Sequence, residues 1–161
     1  MRRTALVVIG ANILLGCASL MAQEPASAVS DDYIQMVRKD LRGDKKQIVA
    51  QSMGLTDTEA TKFWPVYDEY TAELTKINDA KLAVIKEYSD KYQTLPNDDA
   101  QALVKRWMDA DAATIQLRLK YLPKFNDVLH NKKTARFFQV DRRIGLVMDL
   151  QLASQIPLVE Q

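Results

Sequence analysis

Apolar residues along this chain recur at intervals of three and four, the period that lines one face of an α-helix. In the first stretch of this kind they are Ile34, Val37, Leu41 and Ile48. Asp31 and Asp32 place favourable negative charge at the helix start, and Gly54 can adopt the left-handed conformation that ends helices. The pattern therefore predicts a first helix from about Asp31 to Met53.

The run from Leu55 to Glu59 predicts the start of a second helix, because Thr56 and Glu59 have the spacing of a capping box. An apolar seam then continues to about Lys91, interrupted by Lys81. Its members are Phe63, Tyr67, Tyr70, Leu74, Ile77, Val84 and Tyr88. We expect Pro65 to bend this helix near its start, because proline removes a backbone donor and crowds the preceding turn.

Two further helices are predicted after a turn at residues 94–97, where Thr94 or Asn97 can cap the third helix. The seam of the third helix comprises Leu103, Trp107, Ala110, Leu117 and Tyr121, with a bend expected at Pro123. The fourth helix should begin near Asn131 and end at residues 156–157. Its seam comprises Phe137, Val140, Ile144, Val147 and Leu150.

The fold class predicted from these elements is all-α, with four helices arranged as helical hairpins. Only five glycines and five prolines occur in 161 residues, which favours long helices over the many tight turns of an all-β chain. A chain of this length has room for one domain of ordinary size. We place that domain at residues 31–158.

The N-terminal residues 1–22 have the three parts of a secretory signal peptide. Arg2 and Arg3 precede an apolar run that is too short to span a bilayer, and small residues follow it up to Ala22. We expect cleavage after Ala22, with a cut after Ala28 as the alternative. Residues 23–30 read as a flexible spacer, and the expected location of the mature protein is the periplasm.

The single cysteine, Cys17, lies inside this leader behind Leu14, Leu15 and Gly16. These four residues resemble the lipobox at which bacterial lipoproteins are cleaved and acylated, although Leu15 is bulkier than the small residue usual there. Two alternatives follow: Cys17 is lipidated, or it is discarded with the leader. Neither alternative gives the mature domain an internal disulfide.

Charge and residue types argue against several classes of function. The formal net charge is +1, with no cluster of Lys and Arg that would form a nucleic-acid-binding face. The only histidine, His130, stands at a helix junction, where a solvated or capping role is expected. Asp109 and Asp111 point to different sides of a helix. We therefore expect no catalytic residues, no cofactor, no metal site and no nucleic-acid partner.

Two pairs of adjacent aromatic rings are the most informative side chains, Phe63 with Trp64 and Phe137 with Phe138. Neighbouring helical positions lie about 100° apart, so one narrow seam does not accommodate both rings of a pair. One interpretation leaves a ring of each pair partly exposed on a polypeptide-binding surface. The alternative is that the fold or a dimer partner buries both. The candidate contacts for a bound polypeptide are Phe63, Trp64, Tyr70, Trp107, Phe137 and Phe138.

The run from Leu55 to Glu59, followed by Phe63, Trp64 and Pro65, resembles the LTxxQ-motif proteins of the bacterial envelope, of the Spy/CpxP type. Glu59 stands where that motif has glutamine. A second copy beginning at Leu129 keeps little beyond its leucine. The resemblance covers the helix pattern of most of the mature chain and brings no catalytic residue with it.

This resemblance implies a four-helix, hairpin-rich fold that often forms a cradle-shaped homodimer. It also implies ATP-independent chaperone activity towards unfolded or partly folded envelope proteins. The alternative function is that of an envelope stress or metal-responsive sensor, which would act through a membrane stress receptor without enzymatic activity.

Overall fold

The protein is described by a computed structural model that covers residues 44–154 and 156–159. Among the described residues, 44–53 are helical and form the C-terminal part of α1, α2 spans Asp57–Lys91, α3 spans Asn97–Val128 and α4 spans Asn131–Ala153. A short 3₁₀ helix, Tyr92–Thr94, lies between α2 and α3. The described residues contain no strand, so the predicted all-α, four-helix fold is confirmed. The signal peptide, Cys17, the spacer and the start of the first helix lie outside the described residues.

The connection between α1 and α2 forms as the sequence predicts. Gly54 has a φ of 53°, in the left-handed region that favours glycine, and it follows the last helical residue of α1. The Thr56 hydroxyl accepts a hydrogen bond from the Glu59 amide at 3.3 Å, and the Glu59 carboxylate accepts one from the Thr56 amide at 2.9 Å. The predicted capping box of Thr56 and Glu59 is therefore confirmed.

The start of α3 differs from its prediction. Pro96 is the N-cap residue, and no side chain caps the helix, so neither Thr94 nor Asn97 has the capping role that we expected. Asp98 and Asp99 lie in the first turn instead. Their negative charges stabilise the helix start, because they interact favourably with the unpaired backbone amides there. Pro65 and Pro123 both lie inside helices that continue through them.

The main core lies where α1, α2, α3 and α4 meet, close to the two short loops at 54–56 and 129–130. The short loops make the helices that they join antiparallel neighbours. The α2–α3 hairpin continues beyond this core with a thinner row of buried apolar residues. That row comprises Val84, Ile85, Leu103 and Ala110.

Helix α4 departs most from its predicted seam. Phe137 is fully buried, Val140 and Ile144 are half-buried, but Val147 is 55% exposed and Leu150 is 71% exposed. The C-terminal half of α4 therefore extends past the core. In the part of the chain that the structure describes, no helix is both long and apolar enough to cross a membrane.

Candidate functional site

The aromatic residues from three helices form the centre of the core. The rings of Phe63, Phe125 and Phe137 lie within 5.6 Å of one another, centroid to centroid, and Tyr70 packs on Phe125 and Phe137 at 5.8 and 5.9 Å. Each of these four side chains is fully buried. Phe63, Tyr70 and Phe137 therefore have no surface to offer a bound polypeptide unless the core opens.

The second ring of each aromatic pair lies at the edge of this core. Trp64 and Phe138 are half-buried against it, so each pair divides into one buried and one partly exposed ring. The Lys46 ammonium lies 5.1 Å from the Trp64 ring centroid, within the range of a cation–π interaction. Of the predicted contact residues, Trp64, Phe138 and the half-buried Trp107 keep some accessible surface.

A buried carboxylate, Asp141 of α4, joins all four helices. Its Oδ1 accepts a hydrogen bond from the Lys45 ammonium of α1 at 2.8 Å. Its Oδ2 accepts bonds from the Tyr70 hydroxyl of α2 at 2.8 Å and from the Arg118 guanidinium of α3 at 3.0 and 3.1 Å. Burial alone would raise the pKa of Asp141, but the positive charges of Lys45 and Arg118 outweigh burial and lower it.

The sequence does not reveal this network, because its partners are far apart along the chain. A signal was present, however: Asp141 follows Phe137 by four residues and so shares its buried helical face. Burial and the carboxylate also raise the pKa of the Tyr70 hydroxyl, so this group remains a hydrogen-bond donor.

A groove of about 590 Å³ starts at this network and runs between α2 and α4. Its apolar lining includes Leu74, Leu82, Ile115, Leu146 and Leu152. The ends of the groove differ, since Lys45 and Lys46 of α1 line only the end near Asp141. The groove is therefore elongated and mainly apolar, with charged side chains along its edges.

Lys81, which interrupts the predicted seam of α2, lies in this groove. Its ammonium donates to Asp111 and to Asp149, at 2.9 Å each, and lies 5.3 Å from the Trp107 ring centroid. The side chain is only 13% exposed. Burial opposes the charge, yet the two carboxylates raise the pKa of Lys81 above its usual value. Lys81 therefore joins α2, α3 and α4 through its charge.

Helix α3 carries a second apolar face, which was not among the predicted seams. We call it the α3 stripe, and its members are Val104, Met108, Ile115, Leu119 and Leu122. Their exposed fractions lie between 40% and 64%. Intervals of four, seven, four and three place them on one side of the helix, away from the buried Leu103, Leu117 and Phe125. The sequence does contain a sign of this face, because a second set of apolar residues recurs at helical spacing beside the set that forms the core.

The described residues give few groups suited to catalysis or metal binding. No cluster of three or more His, Cys, Asp or Glu side chains among them could hold a metal ion. His130 is exposed and occupies the N-cap position of α4 without a side-chain capping bond. What the geometry offers is apolar surface: the α3 stripe and the groove, which share Ile115.

Comparison with known proteins adds no relative: no family model, no curated protein and no solved structure matches this chain.

Proposed function

We propose that the mature protein is a periplasmic, ATP-independent chaperone-like protein that binds unfolded or partly folded envelope proteins. The observation that carries this proposal is the α3 stripe. Five large apolar side chains on one helix face exceed the scattered apolar exposure that is normal for a surface. Such a face suits the apolar segments that unfolded chains expose.

Charged side chains on both sides of the stripe fit this role. Helical geometry places Lys105 and Asp109 beside one edge, and Asp111 and Arg118 beside the other. Mixed charges bring no strong preference for acidic or basic clients, whereas the apolar centre selects for unfolded chains. The resemblance to Spy/CpxP-type proteins supports the same function and adds the proposal of a cradle-shaped homodimer.

The experiment compares the wild type with Ile115→Lys/Leu119→Lys in an assay of client aggregation. We expect the wild type at equimolar dose to slow the aggregation of a denatured client without any nucleotide. The double variant should lose most of this effect, because two charges interrupt the middle of the stripe. The matched control is Ala102→Lys/Gln116→Lys, which adds the same two charges at exposed positions of α3 outside the stripe.

Light scattering on the same variants separates client binding from self-association. We expect the double variant to keep the mass of the wild type while it loses the ability to slow client aggregation. If the variant instead changes from a dimer to a monomer, the stripe is the dimer interface and the proposed client surface is wrong. If a pull-down returns one specific membrane protein and no unfolded client, the function is that of a regulatory partner of a stress receptor.

A further inference from the structure

One member of the α3 stripe, Met108, carries a side chain that can be oxidised. Met108 is 64% exposed, the largest fraction of the five stripe residues. The other two methionines that the structure describes are less accessible, since Met53 is 2% exposed in the core and Met148 is half-buried in the groove lining. An oxidant must reach the sulfur of a methionine, so Met108 is the most reactive of the three.

We propose that Met108 is a site of reversible oxidation, at which a peroxide forms methionine sulfoxide and thereby weakens binding by the α3 stripe. In this step a lone pair of the sulfur attacks one peroxide oxygen, a sulfur–oxygen bond forms and the oxygen–oxygen bond breaks. The sulfur is oxidised by two electrons, and hydrogen peroxide is reduced to water. The effect on binding rests on the proposed function, whereas the oxidation of Met108 does not.

The position of Met108 makes the stripe sensitive to this change. Val104 lies one turn before Met108, whereas the next large apolar member, Ile115, follows seven residues later. The helical positions between Met108 and Ile115 on this side are Asp111 and Ala112, which add no large apolar side chain. Met108 is therefore the apolar link between Val104 and the longer C-terminal part of the stripe.

Oxidation changes the polarity of the side chain more than its size. The thioether is apolar and flexible, whereas the sulfoxide is polar and chiral. An apolar client segment that covers position 108 would remove water from the sulfoxide oxygen without replacing its hydrogen bond. We therefore expect the oxidised protein to bind unfolded clients at least about fivefold more weakly. Met108 does not belong to the core cluster, so the fold should persist.

Peptide mass spectrometry after a short treatment with hydrogen peroxide tests the site. In the folded protein, Met108 should form sulfoxide at least about tenfold faster than Met53, because Met53 reacts only when the core opens. It should also react faster than Met148. The three rates should converge in denaturant, since burial causes the difference between them. Equal rates for Met108 and Met53 in the folded protein would overturn the proposal.

A binding measurement then tests the consequence. The probe is reduced, carboxymethylated lactalbumin, a permanently unfolded polypeptide, which is added after the peroxide has been removed. Wild type and the control Met148→Leu should each lose affinity at least about fivefold on oxidation. Met108→Leu should show the same affinity before and after peroxide, whatever its starting value. Methionine sulfoxide reductases should restore the affinity of the oxidised wild type.

The outcomes separate this inference from the proposed function. If the untreated wild type does not bind the unfolded polypeptide, both are wrong. If the untreated wild type binds, two results would overturn the inference alone: an unchanged affinity despite a sulfoxide at Met108, or an equal loss in Met108→Leu. Circular dichroism of the oxidised wild type should remain helical. A loss of helicity would also overturn the inference, because the weaker binding would then arise from unfolding.

Discussion

The roles of some single residues can be predicted from their neighbours in sequence, whereas the roles of others depend on contacts that form only in the folded protein. Thr56 and Glu59 form their capping box within four residues of sequence, so the pattern alone predicted it. Glu59 also binds the ammonium of Lys133, which is 74 residues away. No local pattern predicts that second bond, because it exists only when α2 and α4 start side by side.

The Glu59 carboxylate should make stability depend on acid pH. Its hydrogen bond from Lys133, followed by the bond from the Thr56 amide, lowers its pKa from 4.5 to about 2. A lowered folded-state pKa stabilises the protein above pH 4.5, and this contribution is lost as pH falls towards 2. We expect Glu59→Gln to lower the free energy of unfolding at pH 7, since glutamine keeps the capping box but not the charge.

Denaturant titrations of the wild type and Glu59→Gln across this pH range check the prediction. The difference between the two proteins isolates Glu59, because all other carboxylates are shared. It should shrink steadily as the pH falls from about 4.5 to about 2. A difference that stays constant would contradict the ion pair with Lys133.

Asp141 should be among the most sensitive polar positions. Asp141→Asn keeps the shape but removes the charge that satisfies Lys45 and Arg118, whose side chains are only 15% and 29% exposed. Breaking a buried ion pair costs about 3 kcal/mol or more of unfolding free energy. The control Asp68→Asn breaks an exposed pair with Lys46 and should cost less than about 1 kcal/mol. Similar losses of unfolding free energy for both variants would show that the ion pairs of Asp141 do not stabilise the protein more than an exposed ion pair does.

At the scale of whole elements, the sequence predicted the number, order and approximate bounds of the helices. Helical periodicity and the caps determine these features locally, so α2 and α4 begin at or next to their predicted positions. What the sequence did not reveal is which apolar stripe faces which neighbour. Helix α3 has two stripes and α4 has a seam that leaves the core, because burial depends on where each partner helix ends.

This uneven burial predicts uneven protection along α4. Residues 134–141 include the buried Thr134, Phe137 and Asp141, whereas residues 146–150 include the exposed Leu146, Val147 and Leu150. Segments with few buried contacts open at lower free energy, so the backbone amides of 146–150 should exchange with solvent hydrogen earlier than those of 134–141. Hydrogen exchange measured by mass spectrometry resolves the two segments. Equal protection would mean that another surface covers the end of α4.

Export of the whole molecule is predicted from the sequence of residues 1–22. These residues lie outside the part of the chain that the structure describes. Mass spectrometry of the natural N-terminus tests it directly. We expect a chain that begins at Gln23, as cleavage after Ala22 requires. A chain that begins at an acylated Cys17 would show the lipoprotein alternative, and an intact Met1 would contradict export.

The binding of unfolded chains by the α3 stripe is a proposal about the whole molecule. Its most direct test places a photo-reactive group at a cysteine introduced in a Cys17→Ser chain, either as Ile115→Cys in the stripe or as Ala102→Cys on another exposed face of α3. With a denatured client present, irradiation should yield client adducts from position 115 and few from position 102. A natively folded client should yield few from either. Equal adducts from both positions, or adducts from 115 only with a second copy of this protein, would rule out the stripe as the surface that binds unfolded clients.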